Sequence, residues 1–339
     1  MVEAQSDRFS RPSALVLFIA LSFDEVIFVI VTVTLNASID KAYYLDSAVV
    51  DGTVHRVSVV DNSAGGKGLN ASRAITTLNY PVCATGFVGG NNGRYLIELA
   101  QKDGIATDFI YTEQETRSCI NILDPSGQST EFLEPGQPIS PEELLAFKAK
   151  LVQLTSSAEV VTFNGSIPKG VSAEDYKELI KDTMSAGVPC ILDASGSLLT
   201  TCLEALPTMI KPNTDEIGQL LGREVITEEE IIAAAQELHN RGIKIVVISL
   251  GAQGALMVSD EGIFRAMPPK IEVINPVGAG DTLVGSFAVA LAQGKTTSEC
   301  LTFALSCATA SCLAAGTGRF EQGVAEEIHK NVALEKIVY

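Results

Sequence analysis

The segment Asn-Pro-Val-Gly-Ala-Gly-Asp-Thr at 275–282 has the residue types of a phosphoryl-transfer site. Gly278, Ala279 and Gly280 carry almost no side chain, so their backbone N–H groups, at the start of a predicted helix, can bind a phosphate. Asp281 follows, and a carboxylate beside a polyphosphate is repelled unless it has a role such as accepting the proton of an attacking hydroxyl. Asp is also a preferred helix cap. The segment alone predicts an anion hole and leaves both interpretations of Asp281 open.

A second glycine-rich segment, Ser-Ala-Gly-Gly-Lys-Gly-Leu-Asn at 63–70, opens another predicted helix. Its glycines, Gly66 among them, allow the backbone to approach a ligand closely. Lys67 could neutralise a phosphate monoester, and Asn70 could form a hydrogen bond with a sugar hydroxyl. A flexible loop without a ligand explains the segment equally well.

Two more segments follow predicted strands and have residue types that suit a nucleotide and its metal. Asn213 and Glu216, three positions apart, would lie on one helix face and could orient the water ligands of Mg²⁺. Helix capping by Asn213 is the simpler interpretation of that segment. The apolar run ending at Ser249 enters a tight turn with Gly251 and Gly254, and such turns bind nucleotides in open α/β sheets, although many only connect elements.

The elements that must position these residues alternate along the chain. Strand-like runs fall at 30–35, 82–87, 160–163, 190–193, 209–211, 245–249 and 271–275, and helical patterns at 68–77, 141–154, 173–186, 228–240 and 282–293. This alternation predicts parallel strands with crossover helices. Segments of about 37–62 and 107–133 lack a helical pattern and predict antiparallel strands of a small second sheet over the site. A dehydrogenase is excluded because 36–60 lacks the G-x-G-x-x-G fingerprint.

Composition excludes several other classes of protein. The chain has 339 residues, 46% of them hydrophobic, which is enough for one large α/β domain with an appendage. A net charge of −17 and the lack of any basic run argue against a nucleic-acid partner and against an anionic membrane surface. The seven cysteines form no C-x-x-C pair and do not cluster with the three histidines, which is typical of reduced thiols and predicts a cytoplasmic location.

The N-terminal region is apolar from about 14 to 33, but Asp24 and Glu25 interrupt it. Neither half is long enough to span a bilayer. We therefore expect residues 1–29 to be an extension outside the fold, and residues 30–339 to form the functional domain.

Three motifs, Thr34–Asp40, Ala64–Asn70 and Pro276–Asp281, resemble in type and order those of the PfkB carbohydrate kinases of the ribokinase superfamily. The resemblance extends from about residue 30 to the C-terminus. It implies a ribokinase-like three-layer α/β/α sandwich with a mostly parallel sheet and a small β-sheet lid. ATP and Mg²⁺ would be used to phosphorylate a sugar hydroxyl. Lid sheets of this family often pair across a dimer, which predicts a homodimer.

Within the family, segments 115–123 and 130–136 look most like the tagatose-6-phosphate kinases, and the 1-phosphofructokinases are the alternative. The first reaction converts D-tagatose 6-phosphate to D-tagatose 1,6-bisphosphate, and the second converts fructose 1-phosphate to fructose 1,6-bisphosphate. A non-catalytic sensor of a sugar phosphate or a nucleotide on the same fold would have lost the base or the anion hole, and both are present here.

The resemblance also implies a role for each matched residue. Asp281 becomes the general base, with Gly278, Ala279 and Gly280 as the anion hole. The sugar phosphate would be bound by Asp40 and Asn70 at its hydroxyls, by Arg56, Lys67 and Arg117 around its phosphate, and by Gly66 and Ser166. ATP would contact Lys211, Asn213, Ser249, Gly251 and Gly254, and Asn213 and Glu216 would support Mg²⁺. The family usually has Pro at Ala37 and Gly at Asn79, and neither position should touch the reacting atoms.

Overall fold

The structure is a computed structural model that describes residues 29–126 and 129–338. The predicted extension at 1–29 therefore lies, except for Val29, outside the described residues. Within the described part of the chain, no helix combines the length and the apolar character needed to cross a membrane.

The described residues form fifteen strands and ten α-helices. The strands are β1 (Val29–Thr34), β2 (Ser38–Tyr44), β3 (Val59–Gly65), β4 (Val82–Gly89), β5 (Ala106–Thr107), β6 (Ile110–Thr112), β7 (Arg117–Leu123), β8 (Ser129–Leu133), β9 (Ala158–Asn164), β10 (Cys190–Asp193), β11 (Met209–Ile210), β12 (Ile245–Ser249), β13 (Ala255–Ser259), β14 (Gly262–Met267) and β15 (Ala333–Ile337). The helices are α1 (Lys67–Thr77), α2 (Gly90–Lys102), α3 (Pro141–Thr155), α4 (Ala173–Ser185), α5 (Gly196–Cys202), α6 (Thr214–Leu221), α7 (Glu228–Asn240), α8 (Ala279–Ala292), α9 (Thr297–Ser311) and α10 (Gln322–His329).

The main sheet has the order β15-β14-β13-β12-β11-β10-β9-β1-β4-β5, and β6 also pairs with β4. Neighbouring strands pair in parallel along the part of the sheet that runs β12-β11-β10-β9-β1-β4-β5, and the pair β4–β6 is parallel as well. The pairs β12–β13, β13–β14 and β14–β15 are antiparallel. Successive residues of β1 face opposite sides: Val31 packs in one core cluster with Phe147 of α3, and Ile30 packs in the other with Phe287 of α8. Helices thus cover both faces of the sheet, which confirms the predicted three-layer α/β/α architecture with a mostly parallel sheet.

The carboxyl ends of the parallel strands meet at one edge of the main sheet. β10 pairs with β9 in a register that sets Asp193 beside Asn164. Ser249 ends β12 and forms a parallel bridge with Asn213, just after β11. Ligands of open α/β sheets bind at this edge, and the fold places several of the predicted site residues there.

The small sheet has the order β3-β2-β7-β8. The pairs β2–β3 and β7–β8 are antiparallel as predicted, but the central pair β2–β7 is parallel, which corrects the expectation of antiparallel strands throughout. A long connection through α1, β4 and α2 separates β2 from β7, and such a crossover permits parallel pairing. Within the second predicted lid segment, β6 pairs with β4 of the main sheet. The domain limits and the lid limits stay predictions.

The strand predicted at 271–275 is wrong. Val273 and Ile274 are 51% and 65% exposed, and the segment belongs to no strand. The backbone N–H groups of Ile274 and Asn275 donate instead to the carbonyl oxygen of Cys312, at 2.8 and 3.1 Å. The place beside β14 is taken by β15, so no sheet edge is left there for the β-branched run.

Asn79, where the family usually has Gly, follows the end of α1 with a φ of 56°. This left-handed conformation favours glycine, and Asn tolerates it better than most other side chains do. The departure therefore preserves the turn that connects α1 to β4.

Candidate active site

The first turn of α8 contains the predicted anion hole. Gly278 is its N-cap residue with a φ of 81°, and a Cβ atom there would lie 2.6 Å from Thr317 Cγ2. Only glycine fits both the left-handed backbone and this contact. The N–H of Ala279 donates to the Pro276 carbonyl at 3.3 Å, whereas the N–H of Gly280 has no acceptor among the described residues. At least one donor at the helix N-terminus is thus free for an anion.

Asp281 lies in this first turn and is buried. Its Oδ2 accepts a 2.7 Å hydrogen bond from Nδ2 of Asn70 in α1. Burial, reinforced by the negative charge of Asp193, raises the pKa of Asp281 to about 6, although Lys67 and the Asn70 bond oppose the rise. A carboxylate with this pKa is mostly ionised at neutral pH and still accepts a proton readily, as a general base must.

Asp193, the last residue of β10, is buried between two lysines. Lys67 Nζ lies 3.2 Å from its Oδ2, and Lys211 Nζ lies 3.4 Å from its Oδ1. Burial alone would raise the pKa of Asp193, but the two ammonium groups outweigh it and lower that pKa. Burial would likewise lower the pKa of Lys67, yet Asp193 and then Asp281 raise it. Asp193 therefore holds both lysine side chains near Asp281 and favours the charged form of Lys67.

The lid strand β2 carries Asp40 towards the glycine-rich loop. Ser38 Oγ donates to Asp40 Oδ1 at 2.7 Å. A Cβ atom at Gly65 would lie 2.0 Å from that same oxygen, so the absence of a side chain at 65 makes room for the carboxylate. Burial raises the pKa of Asp40, and Ser38 and the charges of Arg73 and Arg117 oppose the rise.

The three other residues predicted to bind the substrate do not all lie in the same part of the structure. Arg117 donates from Nε and Nη2 to the carbonyl oxygen of Asn36 at 3.1 and 2.9 Å, and from Nη1 to that of Glu134 at 2.8 Å. Ser166, exposed in the loop after β9, accepts a 3.1 Å bond from Asn36 Nδ2. Arg56 is exposed in the loop between β2 and β3, with no hydrogen bond or ion pair to another described residue. The structure therefore brings Arg117 and Ser166 to the Asn36 loop but leaves Arg56 apart.

The predicted nucleotide residues follow β11 and β12. Asn213 caps α6: its Oδ1 accepts from Glu216 N at 2.8 Å, and Glu216 Oε2 accepts from Asn213 N at 2.9 Å. This reciprocal capping box is the simpler interpretation that the sequence offered. Ser249 lies beside Asn213, and Gly251 and Gly254 form the turn into β13.

Lys211 lies between Asp281 and the residues predicted to bind the nucleotide. It is buried, and a Cβ atom at Gly280 would lie 3.2 Å from its Nζ. The lysine thus approaches both Asp193 and the anion hole, and its charge lowers the pKa of Asp281.

Two residues of this site were missed by the sequence reasoning. Asp193 was assigned only to a strand, although a carboxylate that ends an apolar run is a signal of a strand-end site. Arg73 lies three positions after Asn70 and contacts it, and the i, i+3 spacing on one helix was the available signal.

Comparison with known proteins agrees with this geometry. The model of the pfkB family of carbohydrate kinases matches residues 33–322. The tagatose-6-phosphate kinase of Staphylococcus epidermidis is 36% identical over 311 residues, which cover 91% of this chain and 100% of the relative.

Solved structures agree as well. Phosphofructokinase-2 from Escherichia coli, in complex with fructose-6-phosphate, superimposes with a TM-score of 0.83 at 29% identity, over 90% of this chain and 99% of that one. A possible 1-phosphofructokinase from Thermotoga maritima also reaches 0.83, at 26% identity, over 91% and 100%.

The predicted family, the ribokinase-like fold and an enzymatic activity are thereby confirmed. Members of this family are phosphotransferases that use ATP and a hydroxyl acceptor, and the buried carboxylate beside a helix N-terminus suits that chemistry. The chain belongs to the pfkB family of carbohydrate kinases.

Proposed function

We propose that this protein transfers the γ-phosphoryl group of ATP to a ketohexose phosphate, converting D-tagatose 6-phosphate to D-tagatose 1,6-bisphosphate. The observation that carries the proposal is the position of Asp281, which accepts a hydrogen bond from Asn70 and directly follows Gly280, whose N–H has no acceptor among the described residues. A base and an anion donor thus lie side by side. The relative from Staphylococcus epidermidis, a tagatose-6-phosphate kinase aligned over its whole length, supports the choice of sugar.

In the proposed reaction Asp281 accepts the proton of the free primary hydroxyl of the sugar as that oxygen attacks the γ-phosphorus, and the bond from the γ-phosphorus to the bridging oxygen breaks to release ADP. The N–H groups of the first turn of α8 stabilise the negative charge on the transferred group. Lys211, which lies 3.4 Å from Asp193 and close to Gly280, adds positive charge on the same side. Most of the rate enhancement comes from positioning, as in other phosphoryl transfers.

The substrate is held by the glycine-rich loop and the lid. We assign the sugar hydroxyls to Asp40 and Asn70, and the phosphate of the sugar to Lys67, Arg117 and the exposed Arg56. Gly66 and Ser166 complete this side of the pocket. Arg117 already donates to backbone carbonyls of two segments, so it would both hold the lid strand β7 in place and contribute charge.

ATP is assigned to Lys211, Asn213, Ser249, Gly251 and Gly254, which follow neighbouring strands of the main sheet. Mg²⁺ suits the oxygen atoms of Asn213 and Glu216, because the capping box uses only one carboxylate oxygen of Glu216 and leaves the other. Within the described residues, no group of three or more His, Cys, Asp or Glu could hold a metal by itself. Mg²⁺ keeps several waters and binds substrate phosphates, so two supporting residues suffice. When bound, it neutralises charge on the phosphates.

The second candidate is a 1-phosphofructokinase, favoured by the structural likeness to the protein from Thermotoga maritima. The residue types of the pocket serve both sugar phosphates. The non-enzyme alternative, a sensor of sugar phosphate or nucleotide, predicts binding without turnover.

An ATP-coupled assay tests these proposals with D-tagatose 6-phosphate, fructose 1-phosphate, fructose 6-phosphate and the free sugars. We expect the highest kcat/KM for D-tagatose 6-phosphate, and turnover of every substrate to fall in Asp281→Asn. A higher value for fructose 1-phosphate would favour the second candidate. Preference for a free sugar would contradict the substrate class, and binding without turnover would favour the sensor.

We also propose a homodimer that forms through the lid sheet, in the cytoplasm. Val60 of β3 and Phe132 of β8 are exposed apolar residues of that sheet. All seven cysteines are free thiols, as a reducing compartment predicts. Light scattering tests the dimer: Phe132→Glu should yield monomers, and an unchanged dimer would place the interface elsewhere.

A further inference from the structure

Arg73, in the second turn of α1, is a buried charge that the proposed reaction does not use. Its guanidinium donates from Nη1 to Oδ1 of Asn70 at 2.6 Å, and from Nε to Oδ2 of Asp103 at 2.7 Å. Nη2 donates to the carbonyl oxygen of Ala64, at the end of β3. A second backbone carbonyl, that of Thr317, lies 3.5 Å from Nη1. One side chain thus joins α1, the C-cap of α2, the lid strand β3 and the loop before α10.

The bond from Arg73 fixes the orientation of the Asn70 amide. An amide carries an acceptor oxygen on one side and a donor nitrogen on the other. Because Arg73 offers only donors, the oxygen of Asn70 must face it, and Nδ2 then faces Asp281. The reverse orientation would oppose donor to donor and oxygen to carboxylate. Asp103 holds the guanidinium in this position and is also paired with Arg319.

We propose that Arg73 is a positioning residue for the general base, acting through Asn70 to hold a hydrogen-bond donor against the carboxylate of Asp281. The inference rests on the proposed role of Asp281. A fixed donor keeps the carboxylate oriented towards the acceptor hydroxyl. The charge of Arg73 also polarises the amide, and this strengthens the bond that Asn70 donates.

Other charges also act on the base. Asp193 raises the pKa of Asp281, whereas Lys67 and Lys211 lower it, and burial raises it most. Asn70 is the hydrogen-bond donor to Asp281, and it favours the ionised form. Arg73 also lowers the pKa of Asp40 through its charge. Loss of Arg73 therefore has a predictable sign at Asp281: the ionised form loses support and the pKa rises.

The test compares wild type with Arg73→Lys, which keeps a charge but loses the planar fork that reaches Asn70, Asp103 and Ala64 together. Arg241→Lys, at an exposed arginine that pairs with Glu237 after α7, is the matched control. The midpoint of Asp281 is read by NMR of protein labelled with ¹³C in the aspartate carboxyl groups. Its resonance is identified by its loss in Asp281→Asn.

We expect the midpoint of Asp281 to rise by about one pH unit in Arg73→Lys and to stay unchanged in Arg241→Lys. The kcat should fall about tenfold, whereas the KM for ATP should stay within about threefold, because the base is disturbed and the residues assigned to ATP are not. In an Asn70→Ala background, Arg73→Lys should no longer move the midpoint. An unchanged midpoint in Arg73→Lys, or an equal rise in both backgrounds, overturns the proposal.

A purely structural role for Arg73 would lower the Tm without moving the midpoint, and this result also overturns the proposal. If Arg73→Lys does not fold, Asp103→Ala decides, since it keeps Arg73 and removes the carboxylate that accepts from Nε. A smaller rise in the same direction supports the proposal, and no rise overturns it. Because the NMR readout needs no turnover, it tests Arg73 even if the assay finds no sugar phosphate that the protein phosphorylates.

Discussion

Asn70 and Asp281 are 211 positions apart in sequence, and a 2.7 Å hydrogen bond joins their side chains. The bond depends on the close approach of α1 and α8. A Cβ atom at Gly285 of α8 would lie 2.4 Å from the carbonyl oxygen of Ala71, so the backbones of the two helices come into close contact at Gly285. The position of the proposed base is therefore set by helix packing as well as by its own turn.

Gly285→Ala should lower both stability and activity, because the added methyl group forces α8 away from α1. We expect a loss of roughly 1–3 kcal/mol in the free energy of unfolding, together with a fall in kcat as the Asn70–Asp281 bond lengthens. Thermal unfolding and steady-state kinetics measure the two effects. Gly323→Ala is the control, because a Cβ atom there, also within a helix, would meet nothing within 4 Å. Equal behaviour of the two variants would contradict the packing argument.

Asp281→Asn should remove the proposed base while leaving the binding groups in place. We expect kcat to fall by roughly 10²–10⁴-fold, with ATP and the sugar phosphate still bound in calorimetry. Near-normal turnover would rule out the general-base role.

The same substitution should stabilise the protein at high pH. The pKa of Asp281 is raised to about 6 in the folded protein, so the folded state favours the protonated carboxyl. This contribution is complete below the unfolded pKa and is lost as the pH rises through about 6. A neutral amide at this position avoids that loss, so the variant should gain roughly 1–3 kcal/mol over wild type at pH 8, and the gain should vanish near pH 4. Urea unfolding at the two pH values measures it, and a gain independent of pH would contradict the linkage.

Asp193→Asn should shift the pH dependence of catalysis in a defined direction. The charge of Asp193 raises the pKa of Asp281, and its removal also frees Lys67 and Lys211 to act on the base. The acidic limb of kcat/KM, expected near pH 6 in wild type, should therefore move to lower pH. A limb that moved upward would show that the lysines had left the site together with their partner.

The sequence predicted the fold well where a local pattern and the global packing agree. The carboxyl-end residues of the parallel strands, such as Ser249, follow directly from the alternation of strands and helices. The segment 271–275 failed because its β-branched residues carry no information on whether a sheet edge is free, and β15, from the end of the chain, takes the place beside β14.

The residues of the candidate site differ in how far the sequence indicates them. Motif residues such as Asp281 stand in recognisable spacing, whereas Asp193 and Arg73 act through partners that only the folded chain brings near. Asp193 gains its role from Lys67 and Lys211, and Arg73 from Asn70 and Asp103. Charge pairs between segments that are distant in sequence produce no periodic pattern from which they could be predicted.

Substitution of Arg117 should lower the Tm, whereas substitution of Arg56 should not. Arg117 holds the carbonyl oxygens of Asn36 and Glu134, so Arg117→Ala should raise the KM for sugar phosphate and also lower the Tm. Arg56 is exposed and has no assigned partner among the described residues, so Arg56→Ala should raise that KM with the Tm unchanged. Kinetics and thermal unfolding of both variants separate the cases. An unchanged KM in either variant would remove that arginine from the phosphate pocket.

Glu216 combines a capping role with a proposed metal role, and two substitutions separate them. Glu216→Gln keeps an oxygen for the N–H of Asn213 but removes the negative charge, so it should raise the Mg²⁺ concentration needed for half-maximal rate with little change in Tm. Glu216→Ala should cause the same rise and also lose about 1 kcal/mol of stability with the cap. Glu299→Gln is the matched control, because Glu299 completes an equivalent capping box at the start of α9. If Glu216→Gln and Glu299→Gln require the same Mg²⁺ concentration as wild type, Glu216 serves the helix alone.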